Sequence, residues 1–79
     1  MLQLSNKWER LLTSQPETGM GYQIASIVLK DGRKYDQAVI AGGIVTKIRN
    51  IEDIPFGEDD IDQIIVTHVK WNFHEGSLS

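Results

Sequence analysis

Between Ile24 and Ile48 the chain passes through three largely apolar, β-branched stretches: Ile24-Ala25-Ser26-Ile27-Val28-Leu29, Tyr35-Asp36-Gln37-Ala38-Val39-Ile40 and Ile44-Val45-Thr46-Lys47-Ile48. Asp31-Gly32 and Gly42-Gly43 separate them. Strand-forming runs with turn dipeptides between them predict a three-stranded antiparallel meander over about residues 22–30, 34–41 and 44–50. Asp-Gly favours a two-residue type I′ loop with positive φ at both central residues, here closed by Lys30 and Arg33. That register sets Val28 opposite Tyr35, Ser26 opposite Gln37 and Ile24 opposite Val39 on one face. Ile27 opposite Asp36 and Ala25 opposite Ala38 fall on the other. A two-residue loop at Gly42-Gly43 sets Ile40 against Val45, Val39 against Thr46, Gln37 against Ile48 and Asp36 against Arg49. The first strand is apolar on both faces, so it is expected to be covered on both sides, by a helix, a rolled sheet or a second copy of the chain.

Ahead of the meander, Leu4, Trp8, Leu11 and Leu12 recur at helical spacing, with Lys7, Glu9 and Arg10 on the other side. Ser5 or Asn6 can cap this helix, expected over about residues 6–13, and Pro16 stops it. It is expected to lie across one face of the sheet. The stretch from Ser14 to Gly21 is a connector. After Arg49, Pro55 interrupts any ladder, and Gly57 can cap a short helix over about residues 58–63, where Glu58, Asp59 and Asp60 meet the positive end of the helix dipole. Ile64-Ile65-Val66-Thr67-His68-Val69-Lys70-Trp71 reads as a fourth strand over about residues 64–71, with a loose tail over 74–79. The expected fold is α+β: an N-terminal helix packed on a four-stranded antiparallel, meander-type curved sheet, with a short acidic helix before the last strand, in a single domain spanning residues 1–79.

The phrases Thr18-Gly19-Met20-Gly21-Tyr22-Gln23, Leu29-Lys30-Asp31-Gly32-Arg33, Ile54-Pro55-Phe56 and Val66-Thr67-His68 with Lys70-Trp71 resemble those of a family of small, uncharacterised bacterial proteins. The resemblance covers roughly residues 18–73 and implies a bacterial origin. It carries over no activity, cofactor, partner or functional residue.

Composition narrows the function classes. The chain has no cysteine, so disulfides, thiolate nucleophiles and cysteine-based metal sites are excluded. Met1-Leu2-Gln3-Leu4-Ser5-Asn6-Lys7 lacks a basic start followed by an apolar run, and no stretch approaches about 20 apolar residues, so a soluble, unexported, cytoplasmic protein without membrane contact is expected. The net charge of −3 is segregated along the chain. Residues 22–50 hold Lys30, Arg33, Lys34, Lys47 and Arg49 against Asp31 and Asp36, whereas residues 51–62 hold Glu52, Asp53, Glu58, Asp59, Asp60 and Asp62 with no cation. Such a distribution serves either as ordinary solvated charge or as a dipolar surface for a charged partner.

Candidate chemistry is sparse. His68 and His74, with Glu75 nearby, are too far apart on an extended chain to converge on a metal, and His68 reads better as a structural hydrogen-bonder. The acidic set at residues 58–62 lacks the spacing of a calcium loop. Gly19-Met20-Gly21 precedes a strand where a phosphate loop would precede a helix, and no serine sits in a nucleophile elbow. No enzyme activity, metal or cofactor is expected. Nucleic-acid binding has a stronger claim, because Lys30, Arg33, Lys34, Tyr35, Lys47 and Arg49 lie on adjacent strands, but the pI of about 5.2 opposes it. Trp71 and Phe73 alternate on the expected last strand, an edge suited to pairing with another chain. Trp8, Leu11, Leu12, Ile24, Ile27, Leu29, Ile40, Ile65 and Trp71 exceed what one short helix over one face covers. The leading reading is therefore a small non-enzymatic protein-interaction module, homodimeric and open to a heterologous protein partner. It would work through Lys30, Arg33, Lys34, Lys47, Arg49, Trp71 and Phe73, and the alternative is a small nucleic-acid binder using the basic face.

Overall fold

The structure is a computed structural model and describes residues 1–73; the tail at 74–79 and with it His74 and Glu75 lie outside the described residues. One helix, α1 (Asn6–Thr13), precedes most of an antiparallel sheet built from β1 (Leu2–Gln3), β2 (Gln23–Leu29), β3 (Lys34–Ala41), β4 (Ile44–Ile48) and β5 (Ile61–Val66). The spatial order is β1-β4-β3-β2-β5.

The sheet has five strands where the sequence pattern predicts four. The additional strand is β1, two residues that pair Leu2 with Val45 and Gln3 with Ile44, too short to leave a periodic signature. At the opposite edge β5 pairs with β2, which makes β2 a central strand and accounts for its unbroken apolar run. The acidic stretch forms only a single 3₁₀ turn, Glu58–Asp60, and β5 begins directly after it. It also ends earlier than the pattern predicts, at Val66, because His68 adopts φ +60° and turns the chain off the strand.

The first hairpin turn is not the expected type I′. Gly32 has φ +95° but Asp31 does not have positive φ. Gly32 N–H donates to Leu29 O at 3.0 Å and Leu29 N–H to Arg33 O at 2.8 Å, so the loop is Lys30-Asp31-Gly32, a turn closed by a glycine bulge. Asp31 Oδ1 accepts Arg33 N–H at 3.0 Å, which holds Asp31 in the turn. The added loop residue shifts the register near the turn, pairing Val28 with Lys34 and Ile27 with Tyr35. A second bulge at Gln37, with φ +57°, restores the expected pairs Ala25 with Ala38 and Ile24 with Val39. Val28–Tyr35, Ser26–Gln37 and Ile27–Asp36 therefore do not pair. Tyr35 is moved to the inner face, where its ring lies 5.1 Å from that of Phe56.

In the second hairpin both Gly42 and Gly43 have positive φ, +58° and +75°, and Ile40 faces Val45. A bulge then sets Val39 against Lys47 and Ala38 against Ile48, so the expected pairs Val39–Thr46, Gln37–Ile48 and Asp36–Arg49 do not form. Bulges in all three long ladders raise the local twist and curl the sheet around the helix.

The inner face holds the main core. Leu4 with Trp8 and Leu12 of α1 packs on Ala25, Ile27, Leu29, Ala38, Ile40, Val45, Ile48, Ile61 and Ile64, with Phe56 beneath. The helix enters from Ser5, whose carbonyl accepts Glu9 N–H at 3.0 Å, and its last turn is closed by Thr13 and Ser14 hydroxyls bonded to the Arg10 and Leu11 carbonyls. The outer face of β2 is covered as well: Ile24 is 0% and Val39 3% exposed, though neither belongs to the inner cluster. Their cover is the chain's own segment 67–73. Thr67 and His68 N–H both donate to Ile24 O at 3.0 and 3.1 Å, and the chain then crosses β3 and β4. Two-sided burial of β2 thus needs no second copy. Of the large apolar side chains expected to exceed the cover available, Leu11 and Ile65 remain exposed, at 38% and 46%.

Candidate functional site

The seven residues expected to form an interaction surface fall into two groups. Lys30, Arg33 and Lys34 sit around the β2–β3 turn. Arg33 Nε is 2.8 Å from Asp31 Oδ2, and Lys34 Nζ is 3.6 Å from Asp36 Oδ1. The Arg33 backbone N–H and then its side chain hold the Asp31 carboxyl below its ordinary range, and Asp31 in turn raises Arg33. Asp36 is lowered first by the hydroxyl of Ser26, buried in β2 and 2.7 Å away, and next by Lys34. Two of these three cations are thereby matched with carboxylates on the same hairpin.

The second group converges on Gln37, the bulged residue of β3. Arg49 donates to Gln37 Oε1 at 3.0 Å, and the indole N–H of Trp71 donates to Gln37 O at 2.8 Å. Gln37 Nε2 in turn donates to the carbonyls of Val69 and Lys70. Lys47 donates to Phe73 O, and the Phe73 ring meets Trp71 edge-on at 5.6 Å and Tyr22 at 5.1 Å. Trp71 and Phe73 are consequently not side chains on a sheet edge. With Lys47 and Arg49 they fasten the C-terminal segment across the outer face, and Tyr35 packs against the core, the environment expected for it.

His68 completes that fastening. The Thr18 hydroxyl accepts Ile24 N–H at 2.8 Å and lies 2.6 Å from His68 Nδ1. The hydroxyl thus ties the start of β2 to the imidazole that follows β5. Among the described residues no three His, Asp or Glu side chains are grouped as metal ligands. The acidic turn is likewise engaged in the fold: Glu58 accepts Ser5 N–H, and Ser5 holds its carboxyl below the ordinary range, while Asp60 Oδ2 accepts Gly57 N–H at 2.9 Å.

Two surfaces remain. One is the edge of β5, a six-residue strand bonded among the described residues to β2 on one side only, with Ile65 46% exposed on it. Thr67 N–H points at Ile24 O, so by alternation Ile65 and Gln63 turn their peptide groups toward β2 while those of Ile64 and Val66 face the open edge. The other is a cleft of about 500 Å³ between the end of α1, the connector and the β3–β4 turn, with Gln23 on its wall. Sequence reasoning singled out neither Gln23 nor Gln37. The only signal for each is a glutamine inside a strand-forming run.

Neither a family model nor a curated protein nor a solved structure matches the chain. Among the described residues no helix is long and apolar enough to cross a membrane.

Proposed function

We propose that this chain is a small non-enzymatic protein-interaction module that self-associates by adding the β5 edge of one copy to the β5 edge of another. The observation that carries the reading is the open edge of β5, an Ile- and Val-rich strand with Ile65 exposed on it. Antiparallel pairing about Ile64 would match Asp62 with Val66 of the second copy, using the outward peptide groups of both strands, and bring Ile65 beside Gln63. The two acidic turns at 58–60 would then lie roughly 25 Å apart, well beyond the Debye length of about 8 Å, so their charges do not oppose assembly.

The nucleic-acid alternative has less support. Arg33 and Lys34 are paired with Asp31 and Asp36, and Lys47 and Arg49 are used in holding the C-terminal segment. Amide exchange followed at several protein concentrations tests the β5 reading. Protection of the Ile64 and Val66 amides is expected to rise with concentration while that of β2 amides stays constant; concentration-independent exchange at both positions would count against it.

A further inference from the structure

The cleft at the end of α1 is lined by acceptors. Glu9 and Glu17 both contribute to its wall, and among the described residues no lysine, arginine or histidine does. Glu9 lies against Gly43, where an added Cβ would come within 3.3 Å of its carboxyl carbon, so the glycine makes room for that carboxylate. Glu17 is anchored at the other side through Oε2, which accepts Gly21 N–H at 3.1 Å.

An independent observation concerns Gln23, which is only 7% exposed. Its Nε2 donates to three carbonyls, Leu12 at 2.8 Å, Pro16 at 3.1 Å and Gln15 at 3.2 Å. A nitrogen facing three carbonyl oxygens fixes the orientation of the amide, so Oε1 must point the other way. Among the described residues that oxygen has no donor. Every buried side-chain oxygen of the described residues has a partner, so Gln23 Oε1 keeps some contact with solvent, and Gln23 is one of the residues that line the cleft.

We propose that this cleft binds a small aliphatic diamine through its primary ammonium groups. An ammonium carries three N–H donors and a charge, which matches two carboxylates and an amide oxygen that lack a cationic partner in the cleft. The methylene chain would lie on Leu12, Pro16 and Ile40, with the Tyr22 ring at the wall. A bare divalent ion is a poorer match, because no three acidic or imidazole groups converge among the described residues. The volume lies within the usual range for small-ligand sites, about 300–1,000 Å³.

The probe is 1,4-diaminobutane, titrated into the full chain and followed by the backbone and Gln23 side-chain amide resonances. Saturable shifts at Gly21, Gly43 and the Gln23 amide are expected, with n-butylamine binding more weakly than the diamine. Glu9→Gln and Glu17→Gln, both at the solvent-facing wall, are expected to keep the wild-type melting temperature and to weaken binding by about fivefold to tenfold each. The proposal fails if no saturable shift appears at about 10 mM diamine, a concentration that would detect affinities in the millimolar range. Magnesium ion giving the same shifts at equal concentration would reduce the effect to counter-ion screening and overturn it. So would binding that is unchanged when both glutamates are replaced, or n-butylamine that binds as tightly as the diamine.

Discussion

Removing the Trp71 side chain would release the C-terminal segment from the outer face of the sheet. Trp71→Ala deletes the indole N–H donated to Gln37 O at 2.8 Å, worth about 0.5–1.5 kcal/mol net. It also deletes the edge-on contact with Phe73 at 5.6 Å, about 0.5–1.5 kcal/mol beyond the area buried. Loss of the buried part of the ring adds about 1–2 kcal/mol. The terms combine to roughly 2–5 kcal/mol, a large share of the ~4–12 kcal/mol expected for a domain of this length. Trp71→Phe separates them, because it keeps a ring and loses only the donor, for a cost of about 1 kcal/mol. Urea unfolding followed by fluorescence of Trp8, buried at 7% exposure in the inner core, reads the global transition in both variants. Faster amide exchange at Thr67 and His68, whose N–H groups bond to Ile24 O, should accompany the loss. A Trp71→Ala midpoint within about 0.5 kcal/mol of the wild type would refute the claim that this segment seals Ile24 and Val39.

Two further outcomes follow from local geometry. In Gly32→Val the added Cβ meets no atom within 4 Å but a β-branched residue is forced to φ +95°, so a mainly conformational loss of about 1–3 kcal/mol is expected, or roughly 5–20 °C in Tm. Gly57→Ala, at φ −102° with an ordinary 3.8 Å contact to Asp60, should stay within about 0.5 kcal/mol; equal effects at the two sites would contradict the turn assignment. The folded-state pKa values of Asp31, Asp36 and Glu58 are lowered from ordinary values of 3.8, 3.8 and 4.5, so their contribution to stability is fully present above those values. It is lost as pH falls through the lower folded values. Urea midpoints measured from about pH 7 to about pH 2.5 should therefore hold steady and then drop below about pH 4.5. Ser26→Ala, which removes the largest cause of the Asp36 shift, should make the acid drop shallower, and an unchanged slope would discount the Ser26–Asp36 bond.

The helix and the antiparallel sheet are readable from the residue pattern because their signals are local and physical. Leu4, Trp8 and Leu12 fall on one helical face, and the β-branched runs alternate with turn residues. The two-sided apolar pattern of β2 also reads correctly as a strand with both faces covered, whereas its place inside the sheet comes from pairing with β5. What covers its outer face does not, because the covering segment is a long-range contact written in side-chain hydrogen bonds. Gln37, Asn50 and His68 adopt positive φ without being glycine, at points where a strand bulges or has just ended. Gln37 carries no sequence signal for that conformation, and its bulge decides which side of the sheet receives Tyr35. Alternation of Trp71 and Phe73 suits a strand, but His68 turns the chain out of the ladder first, so both aromatics are spent on the outer face and the open edge falls to Ile64, Ile65 and Val66.

Sedimentation equilibrium of the full chain from about 1 µM to about 1 mM tests self-association through β5 most directly, with Ile65→Lys run beside the wild type. Ile65 is 46% exposed, so the substitution should leave the fold intact while placing a charge at the centre of the paired edges. The wild type is expected to move from a species of 8.9 kDa to one of twice that mass as concentration rises, and Ile65→Lys to remain at 8.9 kDa. A wild type that stays at 8.9 kDa across the whole range, or an Ile65→Lys variant that dimerises equally well, would contradict it.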